Sequence, residues 1–384
     1  MNYIGSKYSL IKDISALITE HIPIEGKALD LFCGTATVAQ QLKILGFETY
    51  ANDWQYYSFA TASSYLAFDA YPQFAKLMSS SEIQSLFEQD NSTHPPQTTV
   101  HSLKERTQKP VTNNAFKVLW YLEHLEGTVG PFFEHYCEGG AQNRLYYSGD
   151  NGKRIQAIGD QITKWSLSGL LSNAERLWLR ASLVESADRV ANTASVYGAF
   201  LKKIKKTAQK PLKMIALAPI PSKSEHHSHK AFCHDANTIF EAQNLPSMTL
   251  TYLDPPYNHR QYSGNYHILE TLAKWDLSDF EPRGKTGLRK ATEHSSTFCS
   301  RVKAYESFDQ LFGSLKTQYL LFSYNNEGLL SEAELLTLLN KYCSDVQIFK
   351  LKYGRFRADN DGENRSYSSD SVEEFLILGR YRQI

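Results

Sequence analysis

Residues Lys27–Ala36, KALDLFCGTA, are the segment that most clearly indicates the fold of this chain. It opens with an apolar run, Lys27–Phe32, and turns at Gly34, and the segment that follows, Thr37–Leu45, has helical periodicity. A short apolar run before a glycine turn and an amphipathic segment is typical of a buried strand that leads into a helix. A second strand and a second helix follow at Phe47–Ala51 and Gln55–Phe68. This alternation predicts an α/β fold with a parallel, doubly wound sheet.

The β-α alternation stops near residue 69 and resumes near residue 210. Between these points the sequence is mainly helical, with candidate helices at Ala115–Leu125, Ala157–Ser166 and Asn173–Lys206. The strands expected beyond residue 210 are Lys213–Ala218, Met248–Leu253, Gln318–Ser323, Val346–Leu351 and Glu374–Leu378, and the expected helices are Asn265–Trp275 and Ser331–Lys341. We therefore expect residues 1–68 and 210–384 to form one α/β domain, interrupted by an inserted, mostly helical region at 69–209.

Composition argues against several classes of protein. The chain has 384 residues, and its 41 basic and 41 acidic residues give a formal net charge of zero. No window approaches the roughly 18 apolar residues of a membrane span, and the polar N-terminal segment lacks the apolar core of a signal peptide. The five cysteines are scattered without a C-x-x-C pair, and His226, His227, His229 and His234 match no zinc spacing. These features predict a cytoplasmic protein without a bound metal.

The turn after the first strand indicates a nucleoside-type ligand. Gly34 lets the backbone approach a ligand at the carboxyl edge of the sheet. Asp30, near the end of that strand, can accept a hydrogen bond from a ligand amine, and Asp53, after the second strand, can accept hydrogen bonds from a ribose diol. A single glycine after a strand also occurs in ordinary tight turns, and this alternative stays open. The absence of a G-x-G-x-x-G motif argues against a dinucleotide.

A second motif, Asp254-Pro255-Pro256-Tyr257, follows the apolar run Met248–Leu253. Two consecutive prolines fix φ and remove two backbone donors, so the turn is rigid and its carbonyl groups stay available as acceptors. Asp254 and the carbonyl group of Pro255 can accept the two protons of an NH2 group, while Tyr257 stacks on the ring that carries it. The structural alternative is a diproline loop with a buried aspartate.

The D-P-P-Y motif after a strand resembles the signature of methyltransferases that modify the N6 atom of adenine or the N4 atom of cytosine in DNA. Asn2–Lys7 (NYIGSK) is similar to the N-terminal cofactor motif of Dam-like, alpha-group adenine enzymes, and Leu29–Ala36 is similar to their first sheet motif. Leu183–Lys203 and Asn258–Glu270 resemble one restriction–modification branch of this group. The motif order matches as well, and the resemblance covers nearly the whole chain.

The resemblance implies a Rossmann-like class I methyltransferase sheet and S-adenosyl-L-methionine as the cofactor. The family positions that surround the cofactor match Tyr3, Gly5, Lys7, Asp30, Phe32, Gly34 and Asp53, and Asp235 matches an acidic residue that contacts the cofactor's adenine ring. Asp254, Pro255, Pro256 and Tyr257 match the residues that hold the target base. The chain departs from the family pattern at Ala36, where glycine is usual. This departure predicts weaker cofactor binding or a slightly displaced helix start.

The activity implied by the resemblance is methyl transfer to N6 of adenine in double-stranded DNA, by base extrusion and direct in-line transfer. A restriction–modification role implies a cognate restriction endonuclease that acts on the same site. The alternatives are methylation of cytosine N4 in DNA or guanine N2 in RNA, and a catalytically silent DNA-binding protein. Aspartate at position 254 and the N-terminal segment favour adenine.

Because the net charge is zero, DNA binding requires local positive charge. A basic cluster lies near residue 204, and further arginines follow the diproline motif and the strand at Val346–Leu351. A solvated helix face explains the lysine cluster equally well. The candidate DNA-binding residues are Lys202, Lys203, Lys205, Lys206, Arg260, Arg355 and Arg357.

Overall fold

The computed structural model describes residues 3–80, 97–103, 106–278, 281–290, 295–354 and 371–382. The chain divides into two compact units. The sheet unit contains Tyr3–Ala62, Ser222–Asn265 and Ala291–Ile384. The helical unit contains Ser63–Pro221 and Tyr266–Lys290.

The sheet unit is built on seven strands. They are β1 (Lys27–Asp30), β2 (Glu48–Asn52), β6 (Lys230–Phe232), β7 (Met248–Leu253), β8 (Thr317–Asn325), β9 (Cys343–Gly354) and β10 (Ser371–Tyr381). They form one sheet in the order β6-β2-β1-β7-β8-β10-β9. The first five strands in this order are parallel, whereas β10 is antiparallel to both of its neighbours. The predicted α/β class with a doubly wound sheet is confirmed.

Helices lie on both faces of this sheet because its central strands are apolar on both faces. All six residues of β7 are buried. Ala28 and Leu250 belong to the core on one face, which includes residues of α1, while Leu29 and Leu253 belong to the core on the other. The helices of this unit are α1 (Ile11–His21), α2 (Thr37–Leu45), the start of α3 (Tyr56–Leu66), α9 (Ile239–Ala242), α10 (Tyr262–Asn265), α12 (Ala304–Ser314) and α13 (Glu332–Tyr342).

The helical unit packs its helices beside a small second sheet. Its helices are α4 (Ala75–Met78), α5 (Asn114–Glu123), α6 (Pro131–Tyr136), α7 (Gly149–Leu167), α8 (Asn173–Arg189) and α11 (His267–Lys274). Strands β3 (Gln97–His101), β4 (Arg106–Pro110) and β5 (Ile215–Leu217) form a sheet in the order β4-β3-β5. Trp178 on α8 donates a hydrogen bond of 3.1 Å from Nε1 to the carbonyl group of Leu217, so α8 is tied to β5.

Two predicted elements differ from the structure. The helix predicted over Asn173–Lys206 ends at Arg189, and the lysine cluster lies in irregular backbone. The buried side chain of Asn192 binds the carbonyl groups of Leu145 and Leu201, and such side-chain bonds to the backbone compete with a helix. The strand predicted at Lys213–Ala218 forms as β5 in the small sheet, not in the seven-stranded sheet.

The inserted region also contains strands that its mainly helical pattern did not predict, namely β3 and β4. The helical unit extends beyond the predicted insert at 69–209, because residues 63–68, 210–221 and 266–290 pack with it. Which of the two units carries catalysis and which carries target recognition stays a prediction. In the part of the chain that the structure describes, no helix has the length and apolarity needed to cross a bilayer.

Candidate active site

An open cavity of about 1050 Å³ lies at the carboxyl ends of β1, β2 and β7. This edge is where parallel α/β sheets bind their ligands. All of the lining residues belong to the sheet unit. They fall within residues 3–7, 30–38, 52–55, 234–237, 252–256, 261–263 and 296–298.

The cavity gathers residues that are far apart in the sequence. Asp254 and Pro256, from the diproline motif, share its wall with the glycine turn and the N-terminal segment. All eight residues predicted to surround a cofactor also line it, namely Tyr3, Gly5, Lys7, Asp30, Phe32, Gly34, Asp53 and Asp235. Their roles toward a ligand stay predictions.

The glycine turn is shaped by Asp53 and covered by Tyr3. Gly34 has a φ of +49° and donates a hydrogen bond of 2.9 Å from its N–H to Oδ2 of Asp53. Oδ1 of Asp53 accepts a second bond of 2.8 Å from the N–H of Gln55. A Cβ atom at Gly34 would lie 3.0 Å from Cε1 of Tyr3, so both the backbone conformation and the space favour glycine.

Ala36 occupies the position where the family usually has glycine. Its φ of +58° is in the left-handed region, and its side chain is buried. Helix α2 nevertheless begins at Thr37, as predicted from the sequence. The chain therefore keeps the turn with an alanine in a strained conformation.

Asp30 places a carboxylate oxygen in the cavity wall. Its Oδ2 atom accepts a hydrogen bond of 2.9 Å from the N–H of Ala39, in the first turns of α2. Its Oδ1 atom is buried and has no hydrogen-bond partner among the described residues. Burial, and then the nearby charge of Asp254, raise the pKa of Asp30 well above its usual value. A bound cation or amine would satisfy this oxygen.

The turn at Asp254–Tyr257, which we call the diproline corner, has two hydrogen-bond acceptors that remain available. Oδ1 of Asp254 lies 2.8 Å from Nζ of Lys7. No described residue donates a hydrogen bond to Oδ2 of Asp254 or to the carbonyl group of Pro255. Burial and the charge of Glu374, opposed by Lys7, raise the pKa of Asp254 to about 6. Asp254 is therefore ionised at neutral pH and is able to accept a hydrogen bond from an amine.

Tyr257 is half-buried and held in place at the edge of the core. Its ring makes an edge contact with Tyr324, with ring centroids 5.9 Å apart. Its carbonyl group accepts a hydrogen bond of 2.9 Å from the N–H of Leu329. The side chain is therefore held against the core, with its ring centroid 5.8 Å from Nζ of Lys7. Neither Tyr257 nor Pro255 is among the described residues that line the cavity.

Sequence analysis missed several polar residues of the site. Asn237 and His234 line the cavity, and Oδ1 of Asn237 and Nδ1 of His234 are buried without a hydrogen-bond partner among the described residues. Glu374 on β10 is 4% exposed and lies 2.9 Å from Nζ of Lys7. Its only sequence signal is a charged residue next to the apolar run of a predicted strand, which does not reveal its partner.

The candidate DNA-binding residues fall into three groups. Lys202, Lys203 and Lys206 are exposed in the helical unit, whereas Nζ of Lys205 donates a bond of 2.6 Å to the carbonyl group of Thr193. Arg260 is exposed in the sheet unit, three residues after the diproline corner. The remaining two, Arg355 and Arg357, lie outside the described residues.

No group of three or more histidine, cysteine, aspartate or glutamate side chains suited to a metal ion occurs within the described ranges. Cys33 lines the cavity, but burial raises the pKa of its thiol well above the usual value. Cys33 is therefore a poor nucleophile at neutral pH.

Comparison with known proteins gives matches over most of the chain. The family model for D12 class N6 adenine-specific DNA methyltransferases matches residues 3–338. The type II methyltransferase M.NlaIII of Neisseria lactamica is 35% identical, over 98% of this chain and 98% of its own length. M.FokI of Planomicrobium okeanokoites is 28% identical over 94% of this chain, and the modification methylase StsI of Streptococcus sanguinis is 29% identical over 95%. The chain spans 50% of the length of each of these two relatives.

Proposed function

Since the chain belongs to the D12 class of N6 adenine-specific DNA methyltransferases, we propose that its cavity binds S-adenosyl-L-methionine and that its diproline corner holds an adenine extruded from double-stranded DNA. One observation carries the proposal: Gly34 and Asp254 line the same cavity at the carboxyl edge of one sheet. A methyl donor at the glycine turn and an acceptor amine at Asp254 would then share one space.

The acidic residues of the cavity suit a cationic nucleoside. Asp53 and Asp235 both line the cavity. In this proposal Asp53 accepts hydrogen bonds from a ribose diol, and Asp235 contacts an adenine ring. The unpaired Oδ1 atom of Asp30 is suited to the amino group of the methionine part of the cofactor. When bound, S-adenosyl-L-methionine supplies a methyl group activated by a positively charged sulfur.

The diproline corner is suited to an aromatic amine. Oδ2 of Asp254 and the carbonyl group of Pro255 would accept hydrogen bonds from the two N–H groups of adenine N6, while Tyr257 would offer its ring for stacking. The two hydrogen bonds favour a more tetrahedral and more nucleophilic nitrogen. The carboxylate of Asp254 also stabilises the positive charge that develops on N6 during transfer. No covalent enzyme intermediate is required.

Base extrusion follows from the chemistry of the substrate. In a duplex, N6 of adenine is paired and stacked, so an enzyme reaches it by flipping the base out. Lys202, Lys203 and Arg260 are exposed and are suited to phosphate contacts. The names of the type II relatives support a role in a restriction–modification system, with a cognate endonuclease as partner.

The decisive experiment compares Asp254→Ala with the wild-type protein. We expect the rate of methyl transfer to fall by about a hundredfold or more, because the amine loses its charged acceptor. The affinity for S-adenosyl-L-methionine, measured by calorimetry, should stay within about threefold, a difference of under 1 kcal/mol. Digestion of the labelled DNA should place the methyl group on N6 of adenine. Normal turnover by the variant, or label on cytosine, would contradict the proposal.

A further inference from the structure

The ammonium group of Lys7 lies between two carboxylates, the partly buried Asp254 and the buried Glu374. Its Nζ atom is 2.8 Å from Oδ1 of Asp254 and 2.9 Å from Oε1 of Glu374. Lys7 is 5% exposed, and Glu374 is 4% exposed. One positive and two negative groups leave the cluster with a net negative charge, next to the position proposed for the adenine amine.

Glu374 is held firmly in this arrangement. It lies on β10, and its Oε1 atom also accepts a hydrogen bond of 2.7 Å from Oγ of Ser323 on the neighbouring strand β8. Glu374 does not itself line the cavity. Burying a second carboxylate at this place costs free energy unless it is paired. Glu374 can therefore affect a ligand without touching it, through its ion pair with Lys7 and through its charge near Asp254.

We propose that Glu374 is a positioning residue for methyl transfer, which holds the Lys7 ammonium on Oδ1 of Asp254 and offsets its charge. The inference rests on the proposed function of Asp254. With Glu374 present, Lys7 orients the Asp254 carboxylate without neutralising the site, and Oδ2 keeps the negative charge that stabilises the developing positive charge on N6. With Glu374 uncharged, Lys7 would balance Asp254 and weaken this stabilisation.

The charges around Asp254 make the role testable by pH. Asp254 is faced by Lys7 from the N-terminal segment, by Glu374 from β10, by Asp30 from β1 and by Tyr252 from its own strand. Burial raises the pKa of Tyr252 well above its usual value, so this residue stays uncharged. Glu374 raises the pKa of Asp254, whereas Lys7 lowers it. Removing Glu374 and removing Lys7 should therefore shift the pKa of Asp254 in opposite directions.

The experiment measures single-turnover methyl transfer between pH 5 and pH 9, with saturating S-adenosyl-L-methionine and DNA. Glu374→Gln keeps the shape of the side chain and its hydrogen-bonding oxygen. For this variant we expect the acid limb of the pH–rate profile to move to lower pH by about one unit. The plateau rate at pH 8 should fall by about tenfold, with cofactor affinity unchanged. For Lys7→Met we expect the acid limb to move to higher pH. Glu374→Asp keeps the charge, so its limb should stay near that of the wild type.

If Glu374 had a purely structural role, Glu374→Gln would lower the plateau rate of methyl transfer in proportion to the loss of folded protein. The acid limb of the pH–rate profile would then stay at the pH of the wild type. That result, or a limb that moves to higher pH in Glu374→Gln, would overturn the inference. If Glu374→Gln does not fold, Lys7→Met provides the test. An acid limb that does not move in Lys7→Met would also overturn the inference. Failure of the proposed function is distinct: the wild-type protein itself would then lack an acid limb, or Asp254→Asn would retain full activity.

Discussion

The backbone N–H of Gly34 donates its hydrogen bond to Oδ2 of Asp53, across a distance of 2.9 Å. Oδ1 of Asp53 binds the N–H of Gln55, so the carboxylate shapes the glycine turn in the wall of the cavity. Asp53→Asn has one amide NH2 in place of an acceptor, so one backbone donor loses its partner. We expect the Kd for S-adenosyl-L-methionine to rise by about tenfold or more, measured by calorimetry.

A matched control for Asp53→Asn is Asp13→Asn, at an exposed position on α1. This control should bind the cofactor with wild-type affinity. Equal affinities for the two variants would remove Asp53 from the cofactor site.

The stability of Asp254→Asn relative to the wild-type protein should rise with pH. The pKa of Asp254 is raised to about 6 from 3.8, so ionisation of its carboxylate costs the folded state more than the unfolded state. This ionisation lowers the free energy of unfolding of the wild-type protein by about 3 kcal/mol at most between pH 4 and pH 8. Asp254→Asn lacks this cost, but it also leaves Lys7 with one carboxylate partner in place of two. Urea denaturation at pH 5 and pH 8 measures the difference in free energy of unfolding between the two proteins, which should change in favour of the variant at pH 8. An equal difference at both pH values would contradict a raised pKa of Asp254.

Ala36 should tolerate glycine but not valine. A left-handed alanine costs about 1–2 kcal/mol, and a β-branched side chain at positive φ is more strained. Ala36 is also fully buried, so Ala36→Val should lower the free energy of unfolding by about 2–4 kcal/mol. Ala36→Gly relieves the strain but removes a buried methyl group and loosens the unfolded chain, so its effect should stay within about 1 kcal/mol. Urea denaturation of the two variants checks the difference, and equal stabilities would contradict a left-handed Ala36.

Gly159 on α7 should resist replacement even by alanine, the best helix former. A Cβ atom at this position would overlap the indole ring of Trp275, whose Nε1 atom donates a hydrogen bond of 3.0 Å to Oδ1 of Asp160. We expect Gly159→Ala to destabilise the protein by about 1–3 kcal/mol, despite a helix-propensity gain of about 1 kcal/mol. In a Trp275→Leu background the cost should shrink, and a double-mutant cycle by thermal denaturation measures this coupling. Additive effects would show that the two residues are not in contact.

Arg260→Ala should change how DNA binding depends on salt. If Arg260 contacts a phosphate, its loss should reduce the slope of log K against log salt by roughly 0.9. Binding titrations at several salt concentrations measure this slope, and Lys12→Ala, at an exposed position of α1, is the control. An unchanged slope in Arg260→Ala would exclude a phosphate contact.

The α/β class and most of the central strands were predictable from the amino-acid sequence. Strand β7 forms at Met248–Leu253 and helix α2 at Thr37–Leu45, both with the predicted bounds. Both elements are predictable from local sequence. An apolar run predicts the buried strand, and an amphipathic segment between the glycine turn and Gly46 predicts the helix. Among the cofactor candidates, Asp30, Gly34 and Asp53 follow from this strand–turn–helix pattern. The other five came from the family resemblance, namely Tyr3, Gly5, Lys7, Phe32 and Asp235.

The contacts between residues that are distant in the sequence were not predictable in this way and became visible in the folded structure. The strand at Ile215–Leu217 joins the small sheet, and the helix predicted through Lys206 stops at Arg189, where the buried Asn192 side chain binds backbone groups that are remote in the sequence. Likewise, Glu374 reaches Lys7 because β10 lies beside β8 in the sheet. A local sequence pattern shows which side chains of a segment are buried. It does not show which residue pairs with a buried charge, because that pairing depends on the order of the strands in the sheet.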